Sequence, residues 1–206
     1  MNKKELELIL SQLEGFENPK VKLEQYSTDA SIAADCLWNV HNDKNIKGKV
    51  IADLGSGPGI FGLGAMVLGA KKVFCVELDE EALKLAKKNK RKVEKIIGRK
   101  INVKFLNMDI REFDNKVDVV IQNPPFGVKE THMDKLFLVR AMEMAKKIYS
   151  FHKMSTQDFI NKFVKENGYG VVKMYHYQFP LKRSFWFHTT RTKYIDVACW
   201  YIKRKA

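Results

Sequence analysis

The 206-residue sequence is 45% hydrophobic and carries 37 Lys+Arg against 24 Asp+Glu, a formal charge of +13. That length suits one α/β domain with a real core and is too short for two of ordinary size, and no apolar run approaches a bilayer span, so a membrane is not an expected partner. A positive field of this size concentrates polyanions, which makes nucleic acid the natural partner, with solubilising Lys-rich helices as the alternative. Cys36, Cys75 and Cys199 are scattered, with no CxxC pair and no histidine at metal-ligand spacing. This pattern predicts neither a metal site nor a disulfide framework, and a reducing cytoplasmic setting.

The first residues read as an amphipathic helix rather than a signal peptide. Leu6, Ile9, Leu10 and Leu13 recur at helical spacing over residues 3–14, and Gly15 to Pro19 breaks the pattern. A second helix is expected from Thr28 or Asp29, either a good N-cap, to about His41. These first 45 residues form a helical extension to the domain, which is expected to span 1–206. The texture then changes to strands alternating with helices: strands over 50–54, 72–77, 101–106 and 117–122, and helices from the glycine cluster to 68 and over 79–96. A loop after Pro125, a helix over 133–147, a short strand at 148–151 and a helix at 156–167 follow. Two longer strands, 170–179 and 194–203, close the chain as an antiparallel pair. The pitch of this alternation predicts a doubly wound, mostly parallel sheet with helices on both faces.

The first strand runs into Asp53-Leu54-Gly55-Ser56-Gly57-Pro58-Gly59-Ile60. Glycines there let the chain turn sharply and let a ligand approach the backbone, whereas a turn that binds nothing has no need of three. Gly57-x-Gly59-x-x-Gly62 satisfies the dinucleotide fingerprint, but Asp53, two residues before the first glycine, gives the D-x-G-x-G-x-G pattern of S-adenosylmethionine sites. There the acid contacts the cofactor's ammonium directly or through water; a pyrophosphate gains nothing from it. Glu77 ends the second strand 22 residues after Gly55, followed by Leu78. A carboxylate there accepts both hydroxyls of a ribose, whichever adenosine cofactor binds; Asp79 is the better helix N-cap. Asp109-Ile110, after the third strand, is expected to grip the adenine, with the acid accepting from the amine and Ile110 covering the ring.

Asn123-Pro124-Pro125-Phe126 follows the fourth strand, which in this topology lies beside the first, so the tetrapeptide faces the cofactor. An exocyclic amine on an aromatic ring is a poor nucleophile because its lone pair is delocalised. The Asn123 side-chain oxygen and the Pro124 carbonyl each accept one N–H, pull the nitrogen toward tetrahedral geometry and aim its lone pair at a methyl donor. The prolines stiffen the turn, and Phe126 offers a face for a base. The bland alternative is a proline-rich strand exit. Seven strands with this antiparallel end fit a Rossmann-like class I methyltransferase better than a dehydrogenase. Lys182, Arg183, Arg191 and Lys193 flank Phe185-Trp186-Phe187 between the last two strands, the mixture of cations and aromatics that single-stranded RNA needs. A hairpin whose aromatics pack on the core is the competing reading.

D-L-G-S-G-P-G followed by N-P-P-F resembles the amino-methyltransferases. Gly15-Phe16-Glu17-x-Pro19-Lys20, Leu23-Glu24-Gln25-Tyr26-x-Thr28 and Tyr149-Ser150-x-His152-Lys153 extend the resemblance over almost the whole chain. They point to the rRNA adenine-N6 methyltransferases called methyltransferase-like protein 5. The resemblance implies S-adenosyl-L-methionine as cofactor, N6-adenine methylation of RNA, small-subunit rRNA as substrate, and a small zinc-containing activator protein as partner. It also implies that Gln25 and Thr28 lie over the cofactor; the residues alone suggest a surface side chain and an N-cap. The chain departs from the family at the ribose position, where Glu77 stands in place of the commoner Asp. Methylation of a protein glutamine, or a non-catalytic RNA-binding scaffold, are the competing functions; the charge and Phe126 favour nucleic acid.

Overall fold

The computed structural model describes residues 1–16, 19–20, 24–125, 133–182 and 192–205. Its seven-stranded sheet has β1 (Val50–Leu54), β2 (Lys72–Glu77), β3 (Val103–Asn107), β4 (Val119–Gln122) and β5 (Lys147–Lys153) parallel to one another. The longer β6 (Tyr169–Lys182) and β7 (Thr192–Arg204) run antiparallel at one end. The strand order β3-β2-β1-β4-β5-β7-β6 reverses direction between β1 and β4. The apolar runs of β1, β2 and β4 are buried because helices cover both faces.

One face packs on α1 (Lys3–Leu10), α2 (Ala30–Asn42), α3 (Ile60–Val67) and α4 (Glu80–Ile97), through Leu6, Leu10, Leu37, Leu63 and Val93. The other packs on α5 (Met133–Met144) and α6 (Gln157–Glu166), with Leu138, Ala141, Ile160 and Val164 around Phe113 and Trp200. Local chemistry sets the helix starts. Asn2 and Glu5 form a reciprocal capping box on α1, Asp29 caps α2 and Asp79 caps α4. Gly98, with φ 68°, ends α4 in the left-handed conformation.

Several expected boundaries move; the strands expected over 170–179 and 194–203 run longer, as Tyr169–Lys182 and Thr192–Arg204, because the two pair along most of their length. The first helix stops at Leu10, not 14, because residues 11–14 turn away toward α4, where the Glu14 backbone exchanges hydrogen bonds with the Asn89 side chain at 2.9 Å. The helix expected over 133–147 ends at Met144, because Lys147 already pairs with Lys203 of β7. That antiparallel ladder also lengthens the expected 148–151 strand to Lys147–Lys153.

The register decides where the chemistry falls. Leu54 of β1 lies opposite Val76 of β2 on one side and Gln122 of β4 on the other. Gly55, Glu77 and Asn123 each stand one residue beyond that aligned row, at the carboxyl ends where the strand order reverses.

Candidate active site

The glycine loop is built from backbone that other residues adopt poorly: φ is 66° at Gly55, 51° at Gly57 and 88° at Gly59, the N-cap of α3. It is tied down by the end of β2. The amides of Gly55 and Ser56 donate to the Val76 carbonyl at 2.9 and 3.0 Å, and the Gly57 amide donates to Glu77 Oε2 at 2.8 Å. Glu77 Oε1 accepts from the Asp79 amide at 2.9 Å. Burial raises the Glu77 pKa even though both oxygens take backbone N–H groups. Each oxygen keeps a lone pair for a further donor. Gly62 has no special φ; a Cβ there would sit 2.7 Å from Cys75 Sγ, so its role is close packing of α3 on β2.

Asp53 takes a different position from the one expected. It does not line the cavity that opens above the loop; it is 1% exposed beneath it, with Oδ2 accepting from the Gly62 amide at 2.8 Å. Burial, with the Glu77 charge adding to it, raises its pKa to about 7. The carboxylate is turned into the first turn of α3 rather than onto the cavity wall, where the expected contact with a cofactor ammonium, direct or through water, would lie.

The cavity has a volume of about 470 Å³. Gly55, Gly57, Pro58, Ile60, Glu77, Leu78, Asp109, Ile110, Asn123 and Pro125 contribute to its wall; Gly59 and Pro124 do not. Asp109 reaches it with its carboxylate already engaged by Arg111, at 2.9 Å to Nε and 2.5 Å to Nη2. The Arg111 guanidinium holds its pKa below the usual carboxylate range. Phe126 lies outside the described residues, as do His132, Arg183, the 185–187 aromatics, Arg191 and the side chains of Lys182 and Lys193.

The roof is a strap between α1 and α2. The Phe16 ring covers the loop so closely that a Cβ on Gly57 would lie 3.0 Å from it. Glu24, with φ 47°, occupies the left-handed region. Gln25, 8% exposed rather than a surface residue, donates to Asp79 Oδ2 at 2.7 Å and accepts from the Lys20 amide at 2.8 Å. Lys20 Nζ pairs with Asp79 Oδ1 at 2.6 Å. Burial pushes the Asp79 carboxyl up, but Lys20 and Gln25 hold it below its ordinary value. Thr28 is not the N-cap; its Oγ1 accepts from Asn123 Nδ2 at 3.2 Å, and the Tyr26 hydroxyl donates to Asn123 Oδ1 at 3.4 Å. Gln25, Thr28, Gly55, Glu77, Ile110 and Asn123 thus meet at one cavity from five separate stretches of chain.

Sequence reasoning missed several wall residues. Asn89 is fully buried and clips the strap to the loop, donating to the Glu14 and Pro58 carbonyls at 2.9 and 3.1 Å. Its one signal is a polar residue on the buried face of α4. Tyr26 and Phe16 sit inside quoted motifs without an assigned role; Met133, Phe137 and Pro180 also line the cavity and carry no local signal. His152 is buried beside a hydrogen-bonding partner. Its Nε2 lies 2.7 Å from Ser150 Oγ, which accepts from Gln122 Nε2 at 2.9 Å, and burial lowers its pKa to about 3, so the ring is neutral.

The glycine loop, the buried acid Glu77 and Asn123 stand at the reversal point of the sheet, where class I S-adenosylmethionine-dependent methyltransferases hold their cofactor. The residues suit that group: Glu77 keeps acceptor capacity for hydroxyls, Ile110 and Met108 offer apolar surface to a base, and the loop carries no side chain at Gly55 or Gly57 to bar approach. The chain is a methyltransferase of this class. Residues 31–124 match the family model of ribosomal protein L11 methyltransferase (PrmA). The chain is 36% identical to the Danio rerio rRNA N(6)-adenosine-methyltransferase METTL5 over 96% of each chain. It is 35% identical to an uncharacterized protein of Methanocaldococcus jannaschii, over 99% of this chain and 95% of that one. A Pyrococcus horikoshii protein, provisionally designated an RNA methyltransferase, has a crystal structure with TM-score 0.90 and 39% identity, covering 100% of this chain and 99% of that one. The chain belongs to the METTL5 family.

Proposed function

We propose that this protein methylates N6 of an adenosine in RNA, and that its substrate is small-subunit rRNA. The observation that carries the reading is the Asn123 carboxamide at the exit of β4, one residue beyond the strand row that also delivers Gly55 and Glu77. When bound, S-adenosylmethionine supplies an electrophilic methyl group. Glu77 would hold its ribose, Ile110 with Asp109 its base, and Gln25 and Thr28 would cover it from the strap. Asn123 Oδ1 and the Pro124 carbonyl accept the two N–H bonds of the adenine amine, localise its lone pair on nitrogen and orient it. In this reading Phe126 supplies a stacking face for the base, and Lys182, Arg183, Arg191 and Lys193 neutralise phosphates of the RNA. Residues 1–206 act as one domain in this reading.

The reading places the protein in the cytoplasm, on the scattered cysteines of the sequence. Among the described residues no helix is long and apolar enough to cross a membrane. The family resemblance adds a small zinc-containing activator protein as partner. β3 ends the strand order, which leaves one of its edges without a strand neighbour among the described residues.

The test is transfer of tritium from labelled S-adenosylmethionine to total RNA and to total protein, followed by nucleoside analysis. Label recovered as N6-methyladenosine in small-subunit rRNA supports the proposal. Label in protein, or in another nucleoside, overturns it in favour of a glutamine or different base substrate.

A further inference from the structure

We infer that Tyr26 and Thr28 are positioning residues for methyl transfer, gripping the Asn123 carboxamide at both ends so that its oxygen faces the substrate amine. The inference rests on the reading that Asn123 accepts from that amine.

A carboxamide is nearly symmetric in shape but not in function. Turned by 180°, it would meet the amine N–H with another N–H and could not accept. Something must therefore choose between the two orientations, and among the described residues the turn after β4 offers only prolines. The selecting groups come from the strap. The Tyr26 hydroxyl lies 3.4 Å from Oδ1 and Thr28 Oγ1 lies 3.2 Å from Nδ2. Both hydroxyls can donate or accept, but they are unequal: a phenol is the better donor and the poorer acceptor, because its oxygen lone pair is delocalised into the ring. That bias keeps the carbonyl on the Tyr26 side. The second lone pair of Oδ1 remains for the amine. At 3.4 and 3.2 Å both contacts lie at the long end of hydrogen bonding.

Each gripping residue is itself held. The Tyr26 ring packs edge-on against Phe179 of β6, with centroids 5.6 Å apart and planes at 81°, and Phe179 is fully buried. Thr28 precedes Asp29, whose side chain fixes the start of α2 by accepting from the Ser31 amide at 2.9 Å. Gln25, one residue before Tyr26, is bonded to Asp79, and Phe16 lies over Gly57. The strap that roofs the cofactor side thus also sets the amide on the amine side.

The experiment is single-turnover methyl transfer to RNA at saturating cofactor and RNA, with cofactor affinity by calorimetry and melting temperature on the same preparations. Tyr26→Phe keeps the ring and its packing and removes the hydroxyl; Thr28→Val keeps the shape and removes the acceptor; Thr28→Ser restores it. Tyr26→Phe and Thr28→Val are each expected to slow the methyl-transfer step about tenfold at saturating cofactor, with Thr28→Ser returning most of the rate. Cofactor affinity should stay within about twofold for Tyr26→Phe and, because Thr28 also covers the cofactor, should fall for Thr28→Val by less than the rate does. Unchanged rates in both variants overturn the inference, as does a loss of cofactor affinity as large as the loss of rate, which would make them cofactor contacts only. Should Tyr26→Phe fail to fold, the Thr28 pair decides alone. Wild-type protein that methylates RNA and an inactive Asn123→Ala, beside normal Tyr26→Phe and Thr28→Val, would remove this inference and leave the proposed function standing. Wild type that transfers no methyl to RNA would remove the proposed function itself.

Discussion

The two ends of the cavity are built by different means. At the glycine-loop end the parts are backbone: three glycines at positive φ and amides tied to the Val76 carbonyl and to Glu77, all within residues 53–79. At the Asn123 end the working group is one side chain, held by hydroxyls 97 and 95 residues away. The first end tolerates no added side chain and is held mainly by backbone close in sequence, with Asn89 and Phe16 as its distant supports. The second depends on a strap that must fold over it. Damage to the loop end should therefore appear in cofactor binding and stability, and damage to the asparagine end in the rate.

The largest expected effect is at the asparagine. Asn123→Ala should retain fold and cofactor affinity but lose at least about 100-fold in single-turnover rate, because the contact acts on the amine as it reacts. Asn123→Asp, which keeps an acceptor oxygen, should retain part of the activity. Methylation of RNA by Asn123→Ala at the wild-type rate would erase the distinction between the two ends.

Glu77→Ala should weaken S-adenosylmethionine binding by about 1–3 kcal/mol in calorimetry and also lower the melting temperature, since the Gly57 and Asp79 amides lose their acceptor. Unaltered affinity would remove Glu77 from the cofactor site. Gly62→Ala tests packing alone. Its methyl would meet Cys75 Sγ at 2.7 Å and Asp53 Oδ2 at 3.1 Å, so denaturant unfolding should show a loss of about 1–3 kcal/mol. An Ala variant as stable as wild type would mean that α3 can shift without cost.

A pH-dependent effect belongs to Asp53. Its pKa of about 7 in the fold lies above the ordinary carboxylate value near ~3.9. The folded protein therefore holds this proton more tightly than the unfolded chain. The resulting stability is fully present below about pH 4 and lost as pH rises through about 7. Asp53→Asn can still accept from the Gly62 amide and should flatten this part of the stability–pH curve. Because the charge acts through space on a cationic ligand, wild-type affinity for S-adenosylmethionine should rise between pH 6 and 8 by about threefold or more, and that of Asp53→Asn should not. Parallel profiles for the two proteins would show that Asp53 serves only as a packing acceptor.

The same contrast governs how much could be read from the sequence. The doubly wound order, the loop, Glu77 and the Asn-Pro-Pro turn are legible because each rests on a local constraint: glycine where φ is positive, apolar runs where strands are covered on both faces, an acid one step past a strand end. Aligned strand ends then bring these local features together without further instruction. Only the tertiary structure decided the inward turn of Asp53, the ends of α1 and α5, the clip made by Asn89 and the grip of Tyr26 and Thr28 on Asn123. Those depend on partners about 10 to 100 residues apart whose meeting is set by packing, for which hydrophobic periodicity carries no signal.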